Sequence, residues 1–214
     1  TPNRTRPVRI DAVIFDIGHV LVEWHPTRMY DERIGKARRK ELFSAVDLMG
    51  MNERIDLGED IADLVVETAA KHPDFHDEIM LWNDGWLDML HPDIPHSAKM
   101  LRALRAKGMP VYALSNFGDS TLAMAEARFP ALMDFDKRFV SGHLKMIKPD
   151  PAIYAHVEAH VDHAPDRLFF IDDRPENIEA AATRGWHTHL FDHPQGLADR
   201  LVAEGLLTAS EATG

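Results

Sequence analysis

The sequence predicts an α/β fold: a three-layer core built on a parallel sheet, with an α-helical domain inserted near its start. Three observations carry that expectation. Beyond residue 96, short apolar runs rich in β-branched and aromatic residues alternate with amphipathic stretches of helical period. A strand-like run, "VRIDAVIFD", also opens the chain at Val8. Between the two, residues 26–90 carry apolar side chains at helical intervals and few strand signals.

Taken in order, the run from Val8 to Asp16 has no helical period and reads as a buried strand that ends at an acid. The helical block follows, with Trp82 and Trp86 spaced to share one core-facing side. "HPDIPHS" then marks a boundary. Ser97 is the expected cap of the helix "AKMLRALRAK" and Gly108 its stop. "MPVYALS" is a strand, "GDSTLAMAEARF" a helix and "KRFVSG" a short strand. Asp150 and Pro151 open the helix "DPAIYAHVEAHV" as cap and first residue. "RLFFID" is a strand, "PENIEAAATR" a helix closed by Gly185, "WHTHLF" a strand, and "PQGLADRLVAEG" a last helix. Helices between successive strands imply crossovers, hence a parallel sheet covered on both faces. The expected division is a catalytic core of residues 1–23 and 96–214, and a helical cap of residues 24–95.

Composition removes several classes of function. With 45% hydrophobic and 28% charged residues the chain is ordinary for a globular protein, and its length suits a large domain with an insertion. It has no cysteine, which excludes disulfides, thiolate catalysis and cysteine-held zinc or iron–sulfur clusters. A net charge of −11 argues against a nucleic-acid partner, though a small anionic substrate fits a site with local positive charge or a metal. No apolar run has the length of a membrane-spanning helix, and none follows the basic "TPNRTRPVR" to make a secretory signal. The expectation is a cytoplasmic protein with no membrane partner, as a monomer or homodimer. Among the thirteen histidines, His156 and His160 share a helix face, but the acid in "HVEAH" is misplaced for a zinc-hydrolase pair. His187 and His189 have no third ligand in sequence reach.

In a parallel sheet, ligands bind beyond the carboxyl ends of the strands. The residues there are Asp16, then Ser115 and Asn116, then Lys148, then Asp172 and Asp173. Together they hold what phosphoryl transfer through a covalent intermediate needs. A carboxylate attacks phosphorus, a cation offsets the phosphoryl charge, and hydroxyl and amide groups hold the oxygens. Asp16, Asp172 and Asp173 form a hard oxygen set suited to magnesium.

The ordered set "VIFDIGHVLV", "VYALSNF", "SGHLKMIKPDPAIY" and "LFFIDDRPENIEAA" resembles the four motifs of the haloacid dehalogenase superfamily. The likeness runs from Val8 to Phe191 and is nearest to the subfamily with a helical cap after the first motif. It implies a Rossmann-like core, with Asp16 as nucleophile, Ser115 as phosphate ligand and Lys148 as stabilising cation. Asp172 would be the second metal carboxylate, Asp173 would assist it, and the Gly18 carbonyl would complete the magnesium ligands. The implied activity is a magnesium-dependent phosphatase acting on a small phosphorylated metabolite, with a sugar phosphate as one substrate class. A 2-haloacid dehalogenase using Asp16 is the alternative, although that branch lacks the paired acids of "IDDRPEN". A phospholigand-binding protein is the non-enzymatic alternative.

One departure stands out. In phosphatases of this family an Asp two residues after the nucleophile protonates the leaving oxygen, and here that position is Gly18. General acid help is worth about 10²–10⁴-fold, so either the leaving group does without it or another side chain supplies it. His19, Glu23 and His25 are nearest in sequence, and His19 and His25 are also candidates for contacting the substrate. Trp24 and Arg28 lie where the chain leaves the core, either facing the substrate or packing a hinge.

Overall fold

The computed structural model describes residues 8–214; most of the basic N-terminal stretch lies outside them. The elements run β1 (Ala12–Phe15), β2 (Val22–Trp24), α1 (Pro26–Ile34), α2 (Lys36–Ala45), α3 (Leu48–Asp56), α4 (Ile61–Lys71), α5 (His76–Asp84), α6 (Trp86–Met89) and β3 (Leu90–Asp93). There follow α7 (Pro95–Ala106), β4 (Val111–Ser115), α8 (Asp119–Arg128), β5 (Lys137–Val140), α9 (Ser141–Leu144), α10 (Pro151–His160), β6 (Leu168–Asp172), α11 (Pro175–Thr183), β7 (His187–Leu190) and α12 (Pro194–Ala203).

Five of the strands form one parallel sheet in the order β5-β4-β1-β6-β7. Alternation along the three middle strands sorts their side chains into two cores. Val13, Phe15, Val111, Ala113, Phe169 and Ile171 face one side, against α7, α8 and α12. Ala12, Ile14, Tyr112, Leu114, Leu168 and Phe170 face the other, against α10 and α11. Both faces are covered, so these strands are apolar at nearly every position, and each large side chain buried contributes roughly 1.5–3 kcal/mol. The chain moves from β1 outward through β4 to β5, then returns to the far side of β1 for β6 and β7. That reversal opens a crevice at the carboxyl ends of β1, β4 and β6, where Asp16, Ser115 and Asp172 stand.

Helices α1 to α6 lie between β2 and β3, which pair antiparallel. The ribbon is fastened on both sides, by the His25 amide on the Met89 carbonyl at 2.7 Å and the Ile94 amide on that of Leu21 at 2.8 Å. One hydrophobic core runs without a break from Val13 and Phe15 into Met29, Tyr30, Leu42 and Trp82 of the insertion. The insertion also reaches the core through α3, whose Ile55 packs on Gly118. A Cβ at Gly118 would sit 2.6 Å from Ile55 Cγ2, so only glycine permits the approach.

The structure corrects four local expectations. β1 begins at Ala12 rather than Val8, which is 48% exposed. Helix α7 starts at Pro95 with Ile94 as its cap residue; Ser97 is inside the helix, fully buried, and its Oγ has no partner. Proline at the first helical position loses no hydrogen bond, which fixes the start three residues early. The strand in "KRFVSG" stops at Val140, because Ser141 opens α9. The ribbon of β2 and β3 has no counterpart among the sequence expectations, and "HPDIPHS" contributes the end of β3 as well as a boundary. Elsewhere the expected stops hold: Gly108 and Gly185 take φ of 81° and 89°. Asp150 caps α10 by accepting from the Ala152 amide at 2.8 Å.

Candidate active site

The cavity floor is a buried ion cluster. Asp16 follows the last residue of β1 and is 7% exposed; Lys148, in the loop after α9, is 4% exposed; Asp172, ending β6, is fully buried. Lys148 Nζ lies 2.7 Å from Asp172 Oδ2, 3.0 Å from Asp16 Oδ1 and 3.0 Å from the Leu114 carbonyl. Three donors meet three acceptors, so the ammonium is fixed. Burial opposes its charge, but Asp16 and Asp172 hold it above the ordinary lysine range.

Asp16 Oδ1 also accepts from the Ile17 amide at 2.8 Å, so this oxygen is held and Oδ2 is left to face the cavity. Burial pushes the Asp16 carboxyl up to about 7; Lys148 pulls it down, and Asp172 and Asp173 push it up again. Asp173 is raised by burial and by Asp172, and lowered by His19. Both Asp172 oxygens are held by the Asn177 amide nitrogen, at 3.2 and 3.1 Å, and Oδ1 also accepts from the Arg174 amide at 2.8 Å. Asn177 therefore orients the acidic loop.

Asp16, Asp172 and Asp173 offer oxygens that all lie within 4.8 Å of one another. Lys148 offsets one of the three negative charges, which leaves a hard, anionic oxygen set. That donor chemistry fits magnesium, with Gly18 beside it on the cavity wall.

The other expected residues fall in different places. Ser115 and His19 line the cavity, His19 with φ of 61° in the left-handed region. Asn116 lines it too, but its side chain is committed: Nδ2 donates to the Lys148 carbonyl at 3.0 Å, and Oδ1 accepts from the Lys148 amide at 2.8 Å. It positions the lysine loop. His25 is not among the lining residues; its Nε2 sits 2.7 Å from Glu23 Oε2 and its ring packs edge-on to His19 at 5.7 Å. Glu23 and His25 are thus spent on each other. Arg28 donates to the His91 carbonyl at 2.6 Å, as a hinge contact.

The insertion supplies the roof. Trp24, Met49, Trp86, Leu90 and the core residue Phe117 make an apolar wall around a cavity of about 170 Å³. Trp24 Nε1 is buried and has no partner. Trp82 is pure core, whereas Trp86 serves core and cavity together. Asn52 and Asp56 are roof residues that the sequence did not single out. Asp56 is partly exposed to the cavity, and burial pushes its carboxyl up to about 7, with Glu53 raising it further and Lys148 lowering it.

Comparison with protein families matches residues 10–185 to the haloacid dehalogenase-like hydrolases. The chain belongs to this family. As a haloacid dehalogenase-like hydrolase it is 28% identical over 185 residues to a sesquiterpene phosphatase of Aspergillus oryzae, a match covering 85% of this chain and 90% of that one. It is 25% identical over 187 residues to a drimenol cyclase of Aspergillus calidoustus; the match covers 85% of this chain but only 34% of that protein. Among solved structures, a family member from Bacteroides thetaiotaomicron, in complex with magnesium and inorganic phosphate, superposes with a TM-score of 0.71 at 25% identity. That match covers 86% of this chain and 95% of the other. The α/β fold and the hydrolase class expected from the four motifs are those of the family.

Proposed function

We propose that this hydrolase is a magnesium-dependent phosphatase that cleaves a small phosphorylated metabolite through an aspartyl phosphate on Asp16. Residues 24–95 serve as a cap over a catalytic core of residues 1–23 and 96–214. The observation that carries the reading is the floor cluster: one fixed lysine among three acids whose oxygens lie within 4.8 Å. A haloacid's own carboxylate would meet that excess of negative charge, with Lys148 already shared between Asp16 and Asp172.

Asp16 Oδ2 attacks phosphorus, the Ser115 hydroxyl donates to a phosphoryl oxygen, and Lys148 favours the ionised form of Asp16 and holds it in line. Magnesium, held by Asp16, Asp172, Asp173 and the Gly18 carbonyl, would supply the remaining positive charge against the phosphoryl group. Water then attacks the aspartyl phosphate and releases inorganic phosphate.

The wall of Trp24, Met49, Trp86, Leu90 and Phe117 supports a leaving group with an apolar portion over a sugar. The similarity to a sesquiterpene phosphatase points the same way. The test is phosphate release from an aryl phosphate, expected to require magnesium and to vanish in Asp16→Asn. Chelator-insensitive release of chloride or bromide from a 2-haloacid would overturn the reading. Alkyl or prenyl monophosphates are expected to outcompete sugar phosphates, and the reverse order would remove the apolar assignment.

A further inference from the structure

We infer that Asp56, the last residue of α3, is the proton donor to the leaving oxygen and the base for the attacking water, doing the work that Gly18 cannot. The inference rests on the phosphatase reading of the same cavity and names the residue which completes it. There is open space at Gly18: a Cβ built there meets nothing within 4 Å apart from its own chain neighbours. Asp56, from the inserted helices, lines the same cavity.

Its placement is built rather than incidental. Trp82 Nε1 donates to Asn52 Oδ1 at 3.3 Å, and Asn52 Nδ2 reaches Asp56 Oδ2 at 3.4 Å, so a buried indole sets the amide that orients the acid. The backbone is fixed from below, where Ser141 Oγ donates to the Asp56 carbonyl. Charge around the carboxyl favours its neutral form. It ends a helix, where the dipole disfavours a negative charge. Glu53 on the same helix adds to that, while Arg54 is turned away onto Glu59 and Glu67, at 2.6 and 3.0 Å. Lys145 is committed to the Gly58 carbonyl at 3.2 Å, and Lys148, the cation that does act on Asp56, is already shared by two other acids. Burial, with these charges, pushes the carboxyl up to about 7, where a group that must both give and take a proton is most useful.

In the first step the Asp16 carboxylate forms its bond to phosphorus, the bond from phosphorus to the leaving oxygen breaks, and that oxygen takes the proton of neutral Asp56. Alcohol leaves, and Asp56 is now a carboxylate. In the second step it takes a proton from water, whose oxygen bonds to phosphorus as the bond to Asp16 breaks. Phosphate leaves and Asp56 is neutral again.

The experiment compares the full chain with Asp56→Asn and Asp56→Glu, in magnesium, on hexyl phosphate and on 4-nitrophenyl phosphate. Nitrophenolate departs without a proton, so only the alkyl ester needs the acid. Asp56→Asn is expected to lower kcat/KM on hexyl phosphate by about 10²–10⁴-fold and on the aryl ester by less than about tenfold. It should also remove a fall in alkyl-ester kcat/KM above pH about 7. Asp56→Glu, which keeps the acid, is expected to retain that pH profile. Equal losses on both esters, or none on either, would overturn the assignment, as would His19→Gln carrying the leaving-group defect in place of Asp56→Asn. Absence of magnesium-dependent phosphate release by the unaltered chain would instead overturn the phosphatase reading beneath it.

Discussion

On the cavity floor Lys148 spends all its protons on Leu114, Asp16 and Asp172, and Asn177 closes both oxygens of Asp172. Across the cavity, Asp56 has a single long contact to Asn52, and Trp24 Nε1 has none. The floor is held in place before any ligand arrives, with Asp16 Oδ2 left open, so under the proposed phosphatase reading its geometry is preset for the phosphoryl group common to every substrate. The roof is less tightly bonded, and in the proposed reading it is the part that meets a leaving group that differs between substrates. Rigidity is concentrated where the chemistry is constant.

The largest effect that would break this contrast is on the floor itself. Asp16→Asn is expected to lower kcat by about 10⁴-fold or more on every ester, aryl or alkyl, measured as phosphate release, because no roof residue replaces a nucleophile. Next, Lys148→Met leaves Asp16 and Asp172 buried without their cation and should cost about 3–5 kcal/mol in urea unfolding under chelation. The double variant Lys148→Met/Asp172→Asn should recover part of that loss, since it removes one of the stranded charges. Asn177→Ala opens both oxygens of Asp172 and is expected to cost about 1–3 kcal/mol by the same measurement.

On the roof the stability response is read through pH. The Asp56 carboxyl sits at about 7 in the folded chain against an ordinary 3.8, so the folded state holds the proton more tightly. Its favourable contribution is complete below pH about 4 and lost as pH rises through about 7. Unfolding midpoints of the native chain should therefore fall relative to Asp56→Asn across that interval. A constant difference would show that Asp56 titrates as it does in the unfolded chain.

The floor was legible in the sequence because each of its acids ends an apolar strand, and strand ends in a parallel sheet converge. "VIFD" and "FFID" announce both the strand and the place where it stops. The roof was not legible for the complementary reason. Asp56 lies forty positions from Asp16 in a helix whose orientation depends on Ile55 reaching Gly118 and on Trp82 reaching Asn52, and no local pattern encodes those contacts. Proximity in sequence was misleading for His25, which follows Asp16 closely yet is paired to Glu23. The β2 and β3 ribbon was missed because its strands are three and four residues long, and one of them contains Pro92. Such short strands hold by pairing to each other, not by propensity.

Ser141 does more than orient one acid. Its Oγ accepts from the Phe117 amide at 2.9 Å while donating to the Asp56 carbonyl, and four residues on, Lys145 grips Gly58. The stretch that delivers Lys148 to the floor is thus laced to the end of α3, and one segment sets the height of both. A chimera that transplants residues 24–95 from another member of the family has to bring residues 141–145 along with them. Grafted without that matching segment, the foreign helices would settle at a depth of their own, and the acid and the lysine would fall out of alignment.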